Sequence, residues 1–228
     1  MSERGWWGRV LRAVITFGLP PFLLLSGVWL VMTEAFLHLE YTRPGFPADP
    51  YGFSTEDRLH YGPYGVRYLR NDAGIEYLAA LEKDGAPIFR QKELAHMADV
   101  KRLTRAAWRF YVPLSAALLG AAWALARRPQ TRASLRQALR DGAALTFGLV
   151  LSVVMASVMA WDMFFEAFHR VFFAGDSWLF YTSDTLIRLY PEQFWFDAAL
   201  FIGGFTLAGA GVIGVGMWVW ERRGHVRI

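Results

Sequence analysis

The chain has 228 residues, of which 54% are hydrophobic and 16% aromatic, and its formal net charge is +4 at pH 7. Charged residues are concentrated in blocks between apolar runs, a pattern typical of membrane proteins. The positive charge lies in those blocks and forms no basic stripe with interleaved aromatics, so we expect no nucleic-acid partner. The absence of cysteine excludes disulfides, cysteine-ligated zinc and a thiol nucleophile.

Four apolar runs divide the chain, and each exceeds the ~20 helical residues that a bilayer requires. We therefore predict an all-α integral membrane protein, a bundle of four transmembrane helices with a small, loop-rich extracytoplasmic domain between the first and second. The predicted segments are the N-terminal anchor and first helix (1–37), the extracytoplasmic domain (38–104), the second helix (105–126), a basic cytoplasmic loop (127–141), the third helix (142–165), a second extracytoplasmic segment (166–196), the fourth helix (197–220) and a cytoplasmic tail (221–228).

The first apolar run follows three arginines and the pair Trp6-Trp7, which is typical of an interfacial anchor. A cleavable signal peptide also begins with positive charge, but this run is too long for one and no small-residue cleavage site follows it closely. We expect a retained helix that Pro20 and Pro21 kink or delay.

Within the first external domain, Ser54 is predicted to be the N-cap of a helix with Asp57 in its first turn. Asp72 is predicted to cap a second short helix that ends at Gly85, and residues 86–89 are predicted to be extended. We expect the tyrosines of this domain to supply packing area rather than a ligand cage.

Two patterns mark the later part of the chain. Arginines at every fourth residue predict one basic helix face suited to an anionic inner leaflet; they are Arg132, Arg136 and Arg140. Small residues at steps of four predict close helix packing in the third span; they are Gly148, Ser152, Ala156 and Ala160.

The charge distribution predicts the topology. The N-terminal segment, the middle loop and the tail are dominated by arginine, whereas segments 38–104 and 166–196 carry most of the acids. The positive-inside rule then places both termini in the cytoplasm and both mixed-charge segments outside the cell membrane. His96, just before the second span, and His169, just after the third, are therefore expected at the same outer face.

Ionisable residues beside a membrane span are costly and usually functional. On a helix, Glu93 and Asp99 each lie three residues from His96, where a carboxylate can orient an imidazole for general base catalysis. Each histidine could instead be an interfacial residue bonded to backbone or lipid phosphate.

A metal site could be formed by His96, Asp99, His169 and Asp176. The chain contains neither His-x-x-x-His nor His-Glu-x-x-His, so we expect no metal and no cofactor. It also lacks the Gly-x-Ser-x-Gly elbow of serine hydrolases.

Two stretches resemble the signature motifs of a known family. Residues 96–101 (HMADVK) match a His-Met-x-Asp-Val-Lys signature, and residues 168–178 (FHRVFFAGDSW) resemble its Phe-His-x-x-Phe-Phe-x-x-Asp-x-Trp partner. Both are similar to motifs of the lipoprotein intramolecular transacylase family of bacterial membrane proteins. The resemblance covers most of the chain, including the four-span layout, but not residues 38–90.

The resemblance implies a reaction and its substrate. Family members move the sn-2 acyl chain of an S-diacylglyceryl cysteine to the α-amino group of the same N-terminal cysteine, so the partners are diacylated bacterial lipoproteins and membrane lipid. On this basis, His96, oriented by Asp99, is expected to be the base toward the amine, and His169 is expected to be the acid toward the leaving oxygen or the oxyanion. The reverse assignment and a transient acyl-histidine remain open.

Other residues of the two motifs are expected to assist. Lys101 is expected either to stabilise the oxyanion or to contact phosphate, and Asp176 to orient His169 or Lys101. The predicted substrate-binding residues are Glu93, Phe172, Phe173 and Trp178, of which the three aromatics are expected to line an acyl groove or anchor the interface. The rival interpretation is a non-enzymatic sensor or assembly partner that binds lipid or peptide through its external segment.

Overall fold

The computed structural model describes residues 3–225, and the side chains of residues 6–222. The predicted tail therefore lies partly outside the described residues. Nine α-helices occur in this described part: α1 (Glu3–Val31), α2 (Glu34–Thr42), α3 (Thr55–Arg70), α4 (Glu76–Ala79), α5 (Gln91–Ala126), α6 (Arg132–Met159), α7 (Trp161–Phe172), α8 (Thr185–Leu189) and α9 (Glu192–His225). A two-stranded antiparallel sheet, β1 (Glu82–Lys83) and β2 (Ala86–Pro87), separates α4 from α5, and a short 3-10 helix (Pro129–Thr131) precedes α6.

Among the described residues, four helical segments are long and apolar enough to cross a membrane. They are Trp6–Val31, Gln91–Ala126, Pro129–Met159 and Glu192–Arg222. The described part is therefore mostly helical and has four candidate membrane-spanning helices, which agrees with the number predicted.

Several predicted helix boundaries differ from the observed ones. The first helix runs unbroken through Pro20 and Pro21 but ends at Val31 rather than near residue 37, because Thr33 caps a separate helix by accepting a hydrogen bond from Phe36 N. The third span ends at Met159, and Ala160 leaves the helical region with φ −149° and ψ 61° before α7 begins. Hydropathy did not reveal this break because the sequence stays apolar through it.

The chain forms two compact units, and every boundary between them falls inside a long helix. The first unit comprises the described parts of segments 1–28, 108–156 and 201–228. Two apolar clusters stabilise it: Ile15, Leu118, Ala121, Leu125, Leu135 and Ala138 from α1, α5 and α6, and Leu19, Leu23, Ala143 and Ala210 from α1, α6 and α9. A Cβ on Gly27 would lie 3.3 Å from backbone atoms of Ile202, so glycine permits α1 and α9 to approach closely.

The small residues of α6 do not form the close contact predicted for them. Gly148, Ser152 and Ala156 are exposed, whereas Ala143, Thr146 and Val150 are buried. The buried face of α6 in this unit is therefore set by the helical period of its other residues.

The second unit comprises residues 29–107 and 157–200 and contains a larger apolar cluster. Its fully buried members include Leu37, Leu78 and Leu189. Ser54 caps the start of α3 as predicted, and Asp57 in the first turn completes a capping box with it. The prediction that Asp72 caps the next helix is wrong, because Ile75 occupies the N-cap position of the four-residue α4.

The tyrosines of this unit pack as predicted. Tyr68 is buried in the apolar cluster, and Tyr61, Tyr64 and Tyr77 pack against it. Tyr190 donates to Gly62 O at 2.6 Å, and its hydroxyl lies where a Cβ on Gly65 would stand. Glycine at position 65 therefore creates the space for this buried hydrogen bond.

Candidate active site

His96 lies in the second turn of α5 and is buried, with about 9% of its surface exposed. The preceding turn is fixed by Glu93, which is almost completely buried. One carboxylate oxygen of Glu93 accepts a hydrogen bond from Arg90 N at 2.8 Å, and the other accepts from Leu186 N at 2.7 Å. These bonds pair backbone donors at the start of α5 and of α8. Glu93 therefore positions the helix that carries His96, and neither of its oxygens faces an open site.

His169 lies in the last turn of α7. Its Nδ1 lies 2.7 Å from Phe165 O, and because a carbonyl oxygen can only accept, Nδ1 carries the proton. In the neutral ring Nε2 then holds the lone pair. Burial lowers the pKa of the His169 imidazole below its ordinary value, although the bond to Phe165 opposes this shift. His169 is therefore held neutral, with one defined acceptor nitrogen.

The structure brings the two histidines together. Their ring centroids lie 6.5 Å apart with an interplanar angle of 25°. Phe173 contacts both rings, with centroids 4.9 Å from His96 and 5.7 Å from His169. Phe180 packs edge-on against His96 at 5.3 Å, and Trp178 stacks on His169 at 4.9 Å. The imidazole pair is therefore enclosed mainly by aromatic rings.

Both histidines line a cavity of about 250 Å³. Its other walls come mostly from apolar side chains of α3, α5, α7, α8 and α9, including Val66, Met97, Phe165, Leu186 and Phe194. Two nitrogen atoms of the wall, His96 Nδ1 and Trp178 Nε1, are buried and have no hydrogen-bond partner among the described residues. A cavity that is mostly apolar and has a few polar side chains in its wall is the usual form of a small-molecule site.

Two charged residues predicted to act with the histidines make their hydrogen bonds and ion pairs with other partners. Asp99 pairs with Arg102 and makes no hydrogen bond to His96. Lys101 is buried, donates to Asn71 Oδ1 at 3.2 Å and Ala73 O at 2.6 Å, and lies 3.9 Å from the centre of the Tyr68 ring. These contacts give Lys101 a role in fixing the end of α3 to α5.

Asp176 lies on an exposed turn, and no hydrogen bond or ion pair of its side chain is found within residues 6–222. Phe172 is also exposed and contacts Phe168 rather than either histidine. Within the described part of the chain, no group of three His, Asp or Glu side chains could hold a metal ion.

Phe165 and Phe180 are residues of the site that sequence reasoning did not select. The ring of Phe165 is tilted against that of His169 with a centroid distance of 4.1 Å, and its backbone carbonyl fixes the tautomer of His169. The signal for Phe165 was available, because a residue four positions before a helical histidine lies on the same face. Phe180 had no such signal, since it approaches His96 from a loop.

Fold and site together define a class of protein, a polytopic α-helical membrane protein with a paired imidazole site in an apolar cavity. A family model described as "Lipoprotein intramolecular transacylase Lit" matches residues 13–195, and the chain belongs to this family. It is therefore a lipoprotein intramolecular transacylase by family, an acyltransferase of the membrane. This result favours the enzyme over the sensor or assembly partner considered from the sequence.

Other proteins share the sequence or the fold of this chain. A protein of Aquifex aeolicus (strain VF5) described as uncharacterized is 31% identical over 214 residues, which is 90% of this chain and 95% of that protein. The structure of the membrane integral lipoprotein intramolecular transacylase Lit from Bacillus cereus has the same fold, with a TM-score of 0.82 at 17% identity, covering 97% of this chain and 99% of that one. A histidine-to-alanine variant of the same Bacillus cereus protein matches with a TM-score of 0.70 at 16% identity, covering 98% and 97%.

Proposed function

We propose that this member of the family transfers the sn-2 acyl chain of an S-diacylglyceryl cysteine to the α-amino group of the same cysteine, the N-terminal residue of a bacterial lipoprotein. The product is the lyso form, with an N-acyl chain and an S-monoacylglyceryl group. The observation that carries the proposal is the pair of imidazoles, 6.5 Å apart, in a cavity whose walls suit acyl chains.

His169 transfers a proton from the substrate amine to the leaving sn-2 oxygen. Its Nδ1–H is committed to Phe165 O, so the lone pair on Nε2 is the acceptor for a proton from the substrate amine. An α-ammonium has a reference pKa near 8, so close to neutral pH a fraction of the substrate has already released one proton to solvent and carries a neutral amine. As this amine attacks the ester carbonyl, its nitrogen gives a further proton to Nε2 of His169, and the imidazolium then passes that proton to the departing sn-2 oxygen. This assignment makes His169 the base, the reverse of the order expected from sequence.

His96 completes the site as a hydrogen-bonding partner of the ester. Its Nδ1 has no partner among the described residues, and Asp99 is engaged by Arg102. Because the amine and the ester belong to one molecule, proximity is supplied by the substrate, and the enzyme has to orient the two groups and move one proton. Phe173 and Trp178 orient the two rings, and Glu93 and Lys101 act through the position of α5.

The proposed reaction is placed at the outer face of the cell membrane. The excess of arginine in the N-terminal segment, the middle loop and the tail supports cytoplasmic termini, with segments 38–104 and 166–196 outside. A reporter fused after Arg136 should then behave as cytoplasmic, and an external signal from that fusion would contradict the placement.

The test of the function is conversion of a diacylated lipopeptide by purified protein, with fragmentation mass spectrometry to locate each acyl chain. His96→Ala and His169→Ala should each abolish the N-acyl product while the protein still inserts and melts cooperatively. His60→Ala is the matched control, because His60 is exposed on α3 and contacts only Tyr61 and Tyr64 among the aromatic rings described. Wild-type conversion by either cavity variant would contradict the proposed pairing.

A further inference from the structure

Trp178 carries a hydrogen-bond donor that the described part of the protein does not use. Its Nε1 is buried and has no partner among the described residues. An indole nitrogen can only donate, and a buried donor normally finds an acceptor, because leaving it unpaired costs free energy. An acceptor supplied by a ligand would remove this cost.

The position of Trp178 indicates which ligand atom that is. Trp178 lines the same cavity as His96 and His169, and its ring stacks on His169 with a centroid distance of 4.9 Å and an interplanar angle of 29°. The indole is therefore a direct neighbour of the imidazole that the proposed reaction uses for proton transfer.

The segment that carries Trp178 is held at both ends. Gly175, with φ of +60°, forms the preceding turn, a conformation in which glycine is unstrained. On the other side, Lys92 Nζ donates to Leu179 O at 2.5 Å and lies over the ring of Phe180. Lys92 belongs to the first turn of α5, the helix that carries His96, so the indole is fixed relative to both histidines.

We propose that Trp178 Nε1–H donates to the carbonyl oxygen of the sn-2 ester and stabilises the negative charge that develops there during acyl transfer. This inference rests on the proposed function. As the bond between the amine nitrogen and the carbonyl carbon forms, the electron pair of the C=O bond moves to oxygen. Collapse of the tetrahedral species restores C=O and breaks the bond to the sn-2 oxygen, which receives the proton lost by the amine through His169. Trp178 keeps its proton throughout.

The neutral donor suits this role. In an apolar cavity a fixed N–H dipole interacts strongly with a developing oxyanion, and it requires no reorganisation during the reaction. The cationic residue expected from sequence for this role, Lys101, is bonded to Asn71 and Ala73 instead and does not line the cavity. Trp178 is thus assigned to the reacting atoms, beyond the acyl-groove or anchor role predicted from sequence.

The experiment removes the indole N–H and retains the aromatic ring, so that the two contributions are measured separately. Trp178 is replaced by 3-benzothienylalanine through amber suppression, which exchanges N–H for sulfur and preserves the shape and stacking of the side chain. Removal of one oxyanion donor lowers kcat by about 10²–10³-fold, and we expect a loss of about 10²-fold with KM and melting temperature nearly unchanged. The same replacement at Trp161 is the control, because this residue lies on α7 with His169 but does not line the cavity.

A binding measurement supplies a second readout. A lipopeptide with a phosphonate in place of the sn-2 ester imitates the tetrahedral species, and the Trp178 replacement should weaken its binding by about the same factor as kcat while leaving the diacyl lipopeptide bound as before. Trp178→Phe, which retains an aromatic ring without the donor, should show the same selective loss.

Each outcome is decisive for one of the two proposals. If wild-type protein converts the lipopeptide and the benzothienyl variant does so at the same kcat, the role of the indole N–H is wrong and the proposed function stands. If wild-type protein forms no N-acyl product, the proposed function fails and the inference fails with it. A loss in kcat with equal weakening of ground-state binding would assign Trp178 to packing and overturn the inference.

Discussion

Substituting Gly65 by alanine tests the packing that shapes one wall of the cavity. A Cβ at this position would overlap the hydroxyl oxygen of Tyr190 and lie 3.2 Å from its Cζ. To restore an ordinary contact, the hydroxyl has to retreat by roughly 1 Å. This movement stretches its 2.6 Å hydrogen bond to Gly62 O beyond the ~3.2 Å limit of a good hydrogen bond.

The magnitude follows from two costs. An overpacked core loses about 1–3 kcal/mol, and a buried hydroxyl that loses its partner costs about 1–3 kcal/mol, so Gly65→Ala should destabilise the protein by about 2–6 kcal/mol. For a chain of this size, each kcal/mol lowers the melting temperature by about 2–4 °C. Thermal unfolding followed by tryptophan fluorescence in detergent should therefore show a clear decrease.

A double mutant distinguishes this mechanism from a general effect of alanine. Tyr190→Phe should lower the melting temperature of wild-type protein, because it removes a buried hydrogen bond, but raise that of Gly65→Ala, because it removes the colliding oxygen. Gly120→Ala is the control, since a Cβ on this exposed glycine of α5 would meet nothing within 4 Å. If Tyr190→Phe has the same effect in both backgrounds, the steric reasoning is refuted.

Three further predictions concern the site. Because burial lowers the pKa of His169, log(kcat/KM) should fall with slope one below the α-ammonium pKa near 8 and with slope two below a second pKa that lies under the ~6.5 of a free imidazole; a second pKa above ~6.5 would contradict the assignment. Glu93→Ala should destabilise the protein more than Glu93→Gln in thermal unfolding, because alanine leaves two buried N–H donors unpaired at about 1–3 kcal/mol each; equal effects would argue against the two observed bonds. Lys101→Met should lower the melting temperature through its lost contacts with Tyr68 and Ala73 while leaving the pH profile unchanged; an oxyanion role would instead lower kcat by about 10²–10³-fold.

Much of the fold was predictable because it depends on one-dimensional patterns. Hydropathy identified the four spans, and the Ser54–Asp57 spacing identified the start of α3. Hydropathy did not predict the break at Ala160 or the separate α2, because apolar residues continue through both and hydropathy does not depend on backbone geometry. Asp72 showed that a good capping residue is not always used, since α4 begins after Ile75, whose side chain makes no capping hydrogen bond.

For the site, the sequence predicted which segments approach each other but not which side chains make contact. The topology predicted from charge placed His96 and His169 on the same side of the membrane, and in the structure their rings lie close together. The partners of each ring were not predictable in this way. Asp99 has the right spacing for His96, but Arg102 lies three residues beyond it and competes for the carboxylate. Phe180 reaches His96 from a loop, and no local pattern encodes such a contact.

The aromatic surroundings of the two imidazoles have a consequence for the outcome of the reaction. An activated ester beside a base is open to hydrolysis whenever a water molecule can be held in line for attack. Phenyl and indole rings offer such a molecule almost no hydrogen bonds, so it gains little by entering. In the proposed reaction, the tethered amine therefore faces little competition from water for the acyl group, and the imidazole proposed as the base favours amide formation over hydrolysis.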